Sequence, residues 1–180
     1  MNLRLFLALE PPDPVRRRLA AAQGELRSAG GRHSDEIRWV APDRMHLTLQ
    51  FLGEVPESRL ADVLAAGAAA AVEARPFHVV FDALSHWRGP QVLCLTARET
   101  PAALVALVEA LRRELEARGF TVERREFQAH LTLARGVLRR PRIEEFELVR
   151  WPAREFTLVE SVTGPAGSRY ERRAAWPLGR

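Results

Sequence analysis

The 180-residue sequence predicts an α+β fold of two similar lobes, each packing helices on a mainly antiparallel sheet. Three observations carry that expectation. His-Leu-Thr-Leu occurs twice, at 46–49 and at 130–133. Each copy follows the same order of elements, a strand and then a helix whose start is marked by a proline. No linker, low-complexity stretch or long charge run divides the chain. One bilobal domain over 1–180 is therefore expected, with repeats at about 1–53 and 91–136.

The elements follow in order. "LRLFLALE" (3–10) has the unbroken apolar character of a buried strand. Asp13-Pro14 then supplies an N-cap and a first-turn proline. Val15, Leu19, Ala22 and Leu26 recur at helical spacing, and Gly30-Gly31 stops the helix. "IRWV" forms a short strand and "HLTLQFLG" a longer one. A further helix near 57–74 carries Leu60, Val63, Leu64 and Ala71 on one side. Strands at 76–84 and 91–97 are expected to pair. Thr100-Pro101 repeats the cap-and-proline signal before a helix faced by Leu104, Leu107, Val108, Leu111 and Leu115, which Gly119 ends. "FTVE" reads as a short strand before "HLTLARG", and more strands are expected within 145–162.

Composition narrows the possibilities. Apolar residues make up 47% of the chain and charged ones 28%, as in a globular protein with a sizeable interior. No apolar run reaches membrane-spanning length, and "MNLRLFLALEPP" lacks the cleavage site of a signal peptide. The single cysteine, Cys94, can form no intrachain disulfide, and a cytoplasmic location is expected. All 27 basic residues are arginine, so the net charge of +4 persists to high pH and suits a polyanionic partner only mildly. P-loop, dinucleotide-binding and G-x-S-x-G signatures are absent, and no carboxylate or cysteine cluster joins the two histidines as a metal site.

The repeated tetrapeptide carries the chemistry. A strand alternates its faces, so His46 and Thr48 share one face while Leu47 and Leu49 anchor the other. His130 and Thr132 stand in the same relation to Leu131 and Leu133. Two lobes facing each other about a pseudo-twofold axis would bring both imidazoles and both hydroxyls to one cleft. One neutral imidazole could then take a proton from an attacking group while a protonated one supplies a proton to a leaving oxygen. Threonine hydroxyls could hold the phosphate oxygens between them. A single H-x-T-x would read as no more than a polar strand face. Two copies in matching contexts favour catalysis, although symmetry alone does not say which histidine is the acid.

The paired "HLTL" motifs resemble those of the 2H phosphoesterase superfamily. With "RLFLALEPP", "HLTLQFLGEV" and "HLTLARG", the chain is similar to its bacterial and archaeal branch of RNA 2′,3′-cyclic phosphodiesterases, also called 2′-5′ RNA ligases. The resemblance implies motifs facing each other across an active cleft. It implies metal- and cofactor-independent hydrolysis of a terminal 2′,3′-cyclic phosphate to a 2′-phosphomonoester. It makes His46 the proton donor to the leaving 3′ oxygen, His130 the proton acceptor, and Thr48 and Thr132 the phosphate-binding hydroxyls. The implied partners are RNA ends bearing the cyclic phosphate, tRNA fragments among them, bound by a monomer.

Other residues are weighed against plainer readings. Arg135 lies five positions past His130, where simple alternation points it away from the cleft, yet a bend at Arg135-Gly136 could return it to contact substrate. Arg139, Arg140 and Arg142 form a loop cluster able to hold RNA phosphates, or simply a solvated loop. Trp39, Trp87 and Phe127 could stack on bases, but aromatics among strands more often belong to the core. His33, His78 and His86 lack the repeated context and read as structural or exposed. Rival functions are 2′-5′ ligation as the main activity, another cyclic-phosphate substrate such as ADP-ribose 1″,2″-cyclic phosphate, and a non-catalytic RNA- or nucleotide-binding module.

Overall fold

A computed structural model describes residues 1–29, 37–140, 147–164 and 167–179. Ten strands and three α-helices follow in the order β1 (Asn2–Leu9), α1 (Asp13–Ala29), β2 (Arg38–Trp39), β3 (Leu47–Pro56), α2 (Leu60–Glu73), β4 (Phe77–Phe81), β5 (Ala83–Trp87), β6 (Val92–Thr96), α3 (Ala102–Ala117), β7 (His130–Arg135), β8 (Val149–Ala153), β9 (Glu155–Gly164) and β10 (Gly167–Pro177). One lobe holds a four-stranded sheet ordered β10-β9-β1-β3, the other a four-stranded sheet ordered β2-β7-β6-β5. A two-stranded sheet pairs β4 with β8, and every pairing is antiparallel. The predicted α+β architecture of two lobes is what the chain adopts.

The lobes share one hydrophobic core. Leu5, Leu7 and Leu9 of β1 join Leu47 of β3, Leu93 and Leu95 of β6, and Leu131 and Leu133 of β7 in a single buried cluster. Leu19 and Leu26 of α1 and Leu104, Leu107, Leu111 and Leu115 of α3 cover it at the spacing the sequence shows. Burying one such side chain stabilises by roughly 1.5–3 kcal/mol, so Leu47 and Leu131, both fully buried, fix their motif strands firmly.

The two units that end in His-Leu-Thr-Leu share their strand register. In the first, Leu9 faces Leu47, Ala8 faces Thr48, Leu7 faces Gln50 and Phe6 faces Phe51. In the second, Leu95 faces Leu131, Cys94 faces Thr132, Leu93 faces Ala134 and Val92 faces Arg135. Each motif strand thus carries a bulge at its second leucine, Leu49 and Leu133, which has no partner. A one-residue bulge reverses the alternation beyond it. Two consecutive residues after each threonine are therefore buried, and the third, Phe51 or Arg135, is exposed.

Several local expectations change in the folded chain. Thr100 does not cap α3: Pro101 occupies that position, and its carbonyl accepts the Leu104 and Val105 amides. Segment 76–84 is not one strand, because β4 pairs with β8 while β5 pairs with β6. "FTVE" forms no strand. Phe120 and Val122 instead lean on the core and Glu123 pairs with Arg125. Strand β10 lies beyond the expected set, since its charge-rich sequence "SRYERRAAWP" hides the alternation. Gly30 and Gly31, the predicted stop of α1, lie outside the described residues. No helix among the described residues is long and apolar enough to cross a membrane.

Candidate active site

Both motif histidines are oriented in the same way. The His46 Nδ1–H donates to the Arg44 carbonyl at 2.8 Å, and the His130 Nδ1–H donates to the Gln128 carbonyl at 3.0 Å. A carbonyl can only accept, so each bond places the proton of a neutral ring on Nδ1 and leaves Nε2 to exchange protons. The sequence separation to the carbonyl is two residues in each case, another element of the local repeat.

Residues from the two lobes meet at one cleft. A cavity of about 290 Å³ is lined by Thr48, Gln50 and Phe51 from β3 and by His130, with Trp87 and Phe127 among the aromatics around it. His46, Thr132 and Arg135 are not among the residues that line it; His46 joins this side of the molecule through Phe6, which packs on its ring and pairs across the sheet with Phe51. His46 is held below its ordinary pKa, first by burial. The Arg44 carbonyl and Glu10 act the other way, while His130 and Arg135 add to the depression. An anion in the cleft would offset all three depressing influences and favour the protonated ring.

The bulge decides where Arg135 stands. Along β6, Val92, Cys94 and Thr96 share a face, and opposite them across the ladder are Arg135, Thr132 and His130. Arg135 therefore shares the face of His130 and Thr132, and the bulge at Leu133 returns it there rather than a bend at Arg135-Gly136. The Leu133 carbonyl is secured by the Val40 amide at 2.9 Å and by the buried Gln23 side chain at 3.0 Å, so α1 of one unit steadies the bulge of the other. Arg38 lies directly opposite Arg135 on β2. Like charges abreast on a ladder repel, and a bound anion would relieve that repulsion.

The wall around His46 differs in character. Phe6 packs against the His46 ring with centroids 4.8 Å apart, and Tyr170 stands edge-on to it at 5.3 Å. Phe6, Ala8 and Val159 form a small apolar cluster of their own beneath this face. Phe51 is 47% exposed, with the Arg4 guanidinium 5.1 Å from its ring centre. Around His130 the sheet is more polar. Trp87 packs on the ring at 4.8 Å, while Ser85 and Thr96, whose hydroxyls bond at 2.9 Å, lie nearby on the same face.

Of the other sequence candidates, Trp87 and Phe127 line the cavity, whereas Trp39 packs on the core under the Arg27 guanidinium. Arg139 and Arg140 are exposed; Arg142 and His33 lie outside the described residues. His78 is exposed on β4, and His86 bonds the Val137 carbonyl at 2.6 Å. Phe51, Phe6, Tyr170 and Arg38 escaped the sequence reading. A signal for Phe51 was present, since it follows His46 by the same five positions that separate Arg135 from His130. Among the described residues, no three His, Cys, Asp or Glu side chains gather as a metal site.

Comparison with known proteins extends these observations. A domain model described as LigT-like phosphoesterase matches residues 9–94 and again 95–170, one match for each motif. An RNA 2′,3′-cyclic phosphodiesterase of Thermus thermophilus is 33% identical over 93% of this chain and 86% of its own length. The Escherichia coli protein of the same name is 31% identical, covering 97% of this chain and 96% of its own. The crystal structure of E. coli LigT with 3′-AMP superposes with a TM-score of 0.85 over the full length of both chains, at 26% identity.

Proposed function

The chain belongs to the LigT-like phosphoesterases, and from that premise we propose that it is an RNA 2′,3′-cyclic phosphodiesterase. The observation that supports the reading most is the pair of imidazoles tethered alike through Nδ1, with Thr48 of one motif and His130 of the other lining one cavity. In the proposed reaction His130 Nε2 accepts a proton from water as its oxygen attacks phosphorus. The bond from phosphorus to O3′ breaks, and His46 donates its Nε2 proton to the departing oxygen. The products are a 2′-phosphomonoester and a free 3′-hydroxyl. Arg135, Thr48 and Thr132 hold the non-bridging oxygens as negative charge concentrates on them.

The unequal walls support this assignment of roles. The base of a nucleoside is flat and stacks on aromatic rings, and it suits the wall of Phe6 and Phe51. The phosphate oxygens suit the wall bearing Arg135. The leaving O3′ remains attached to the ribose and so stays near His46. In-line attack then brings water from the side of His130. The exposed ring of Phe51 is placed to stack on the terminal base.

A monomer acting on RNA fragments in the cytoplasm completes the proposal. The deciding assay compares a short RNA ending in a 2′,3′-cyclic phosphate with the same RNA ending in a 3′-phosphate, both with excess chelator. Only the cyclic end should react, giving a 2′-phosphate without loss of rate. Activity that disappeared with chelator and returned with one divalent ion would overturn the two-histidine mechanism.

A further inference from the structure

We infer that the hairpin of β9 and β10 carries a second nucleotide subsite, with Tyr170 as stacking platform and Arg44 as phosphate contact, which makes an RNA chain rather than a lone nucleotide the preferred substrate. The inference rests on the proposed cyclic phosphodiesterase reaction. It begins with the connectivity of ribose. The base is attached at C1′, next to C2′, whereas the 5′ extension leaves from C4′, next to C3′. With O3′ at His46 and the base against Phe51, the rest of the strand must leave on the far side of the ribose from Phe51.

The fold has matching groups on that side. In the sheet ordered β10-β9-β1-β3, Phe51 and Tyr170 lie on opposite edge strands, with Phe6 between them. The Tyr170 ring packs edge-on against both Phe6, at 5.1 Å, and His46, and is 37% exposed. Tyr170 is the only tyrosine of the chain, and both of its ring contacts, Phe6 and His46, belong to the candidate site. Arg44 precedes His46 by two residues and orients its ring through the backbone carbonyl. Its side chain crosses to β10, where Nη1 donates to the Ser168 carbonyl at 3.1 Å. It makes no ion pair among the described residues, and the bond to Ser168 holds the guanidinium beside the hairpin. The guanidinium is thus held two residues along the strand from Tyr170, and single-stranded RNA recognition uses such a pairing, the cation for the phosphodiester and the aromatic ring for the base.

Three substrates separate the contributions: a nucleoside 2′,3′-cyclic phosphate, the same molecule with a 5′-phosphate, and a dinucleotide ending in the cyclic phosphate. For the wild-type protein kcat/KM should rise at the first step by about three- to tenfold, as expected for one hydrogen-bonded contact. It should rise at the second by about five- to a hundredfold, the range for one stacked base. Arg44→Ala should abolish the first step. Tyr170→Ala should abolish the second, and Tyr170→Phe, which keeps the ring, should retain it. The ratios are read within each variant, so a general effect of Tyr170 on His46 cancels. A flat series for the wild type, or a Tyr170→Ala variant slowed equally on all three, would overturn the subsite while leaving the phosphodiesterase reading intact. Failure to turn over any of the three would overturn both.

Discussion

The strand that follows His46 and the strand that follows His130 begin alike and end differently. Both have a histidine tied by Nδ1 to the carbonyl two residues back, a threonine on the cleft face, and a bulge at the second leucine. The bulge then presents a third side chain to the cleft, and here the equivalence ends: Phe51 in one strand, Arg135 in the other. Their neighbours follow suit. The first strand lies beside Phe6, Ala8 and Val159, the second beside Ser85, Cys94 and Thr96. One backbone device used twice therefore delivers an aromatic wall and a cationic wall. A symmetric pair of histidines acquires distinct roles from these surroundings rather than from the motif itself.

The harshest test removes what the strands have in common. His46→Ala should delete the acid and His130→Ala the base, each lowering kcat by about 10²-fold or more on a cyclic-phosphate RNA. The double variant should fall less far than the product of the two, because either loss already disables the concerted transfer. Circular dichroism should show both variants folded, since Leu47 and Leu131 still anchor the strands.

Removing the residues that distinguish the strands should sharpen the contrast. Arg135→Ala is expected to cost about 10²- to 10³-fold, mainly in kcat, as for loss of a group that stabilises transition-state charge. Phe51→Ala should act chiefly on KM, by about tenfold, because stacking holds the ground state as well. Equal changes in kcat for both variants would contradict the division into a phosphate wall and a nucleoside wall.

Thr48→Ala and Thr132→Ala should be milder, at about tenfold each, with one neutral hydrogen-bond donor lost from a site that keeps its acid and base. The mildest effect concerns pH and falls on the first strand. Burial leads the causes that hold His46 below its ordinary pKa, so the unfolded chain binds that proton more readily. The stabilising contribution of a neutral His46 is whole above the unfolded value of about 6.5 and erodes as pH falls through it toward the depressed native value. Urea unfolding at pH 7.5 and 5.5 should show a smaller pH dependence for His46→Gln than for the wild type. Adding 2′-AMP should reverse the depression, so its affinity should increase as pH is lowered toward 6.

Much of this was legible in the linear chain because it depends on local periodicity. Apolar runs and helical spacing located β1, β3, β6, β7 and all three helices, and the doubled tetrapeptide picked out His46, Thr48, His130 and Thr132. Strand β10 was not legible, since Arg169, Glu171, Arg172 and Arg173 mask its alternation; Arg169 pairs with Glu171 on the same strand, while Arg172 and Arg173 find Glu10, Glu155 and Glu160 only once the sheet has formed. The face occupied by Arg135 was not legible either. A bulge is a property of two paired strands and their register, and nothing within "HLTLAR" states that Leu133 will lack a partner. The convergence of Phe6 and Tyr170 on His46 likewise joins positions far apart in the chain, which only packing brings within about 5 Å. The amino-acid sequence by itself determined the reacting groups and the strands that carry them, because these follow from residue type and short-range spacing. Tertiary structure alone decided which wall receives the nucleoside and which the phosphate, because that distinction arises from strand pairing and from side chains contributed by distant segments.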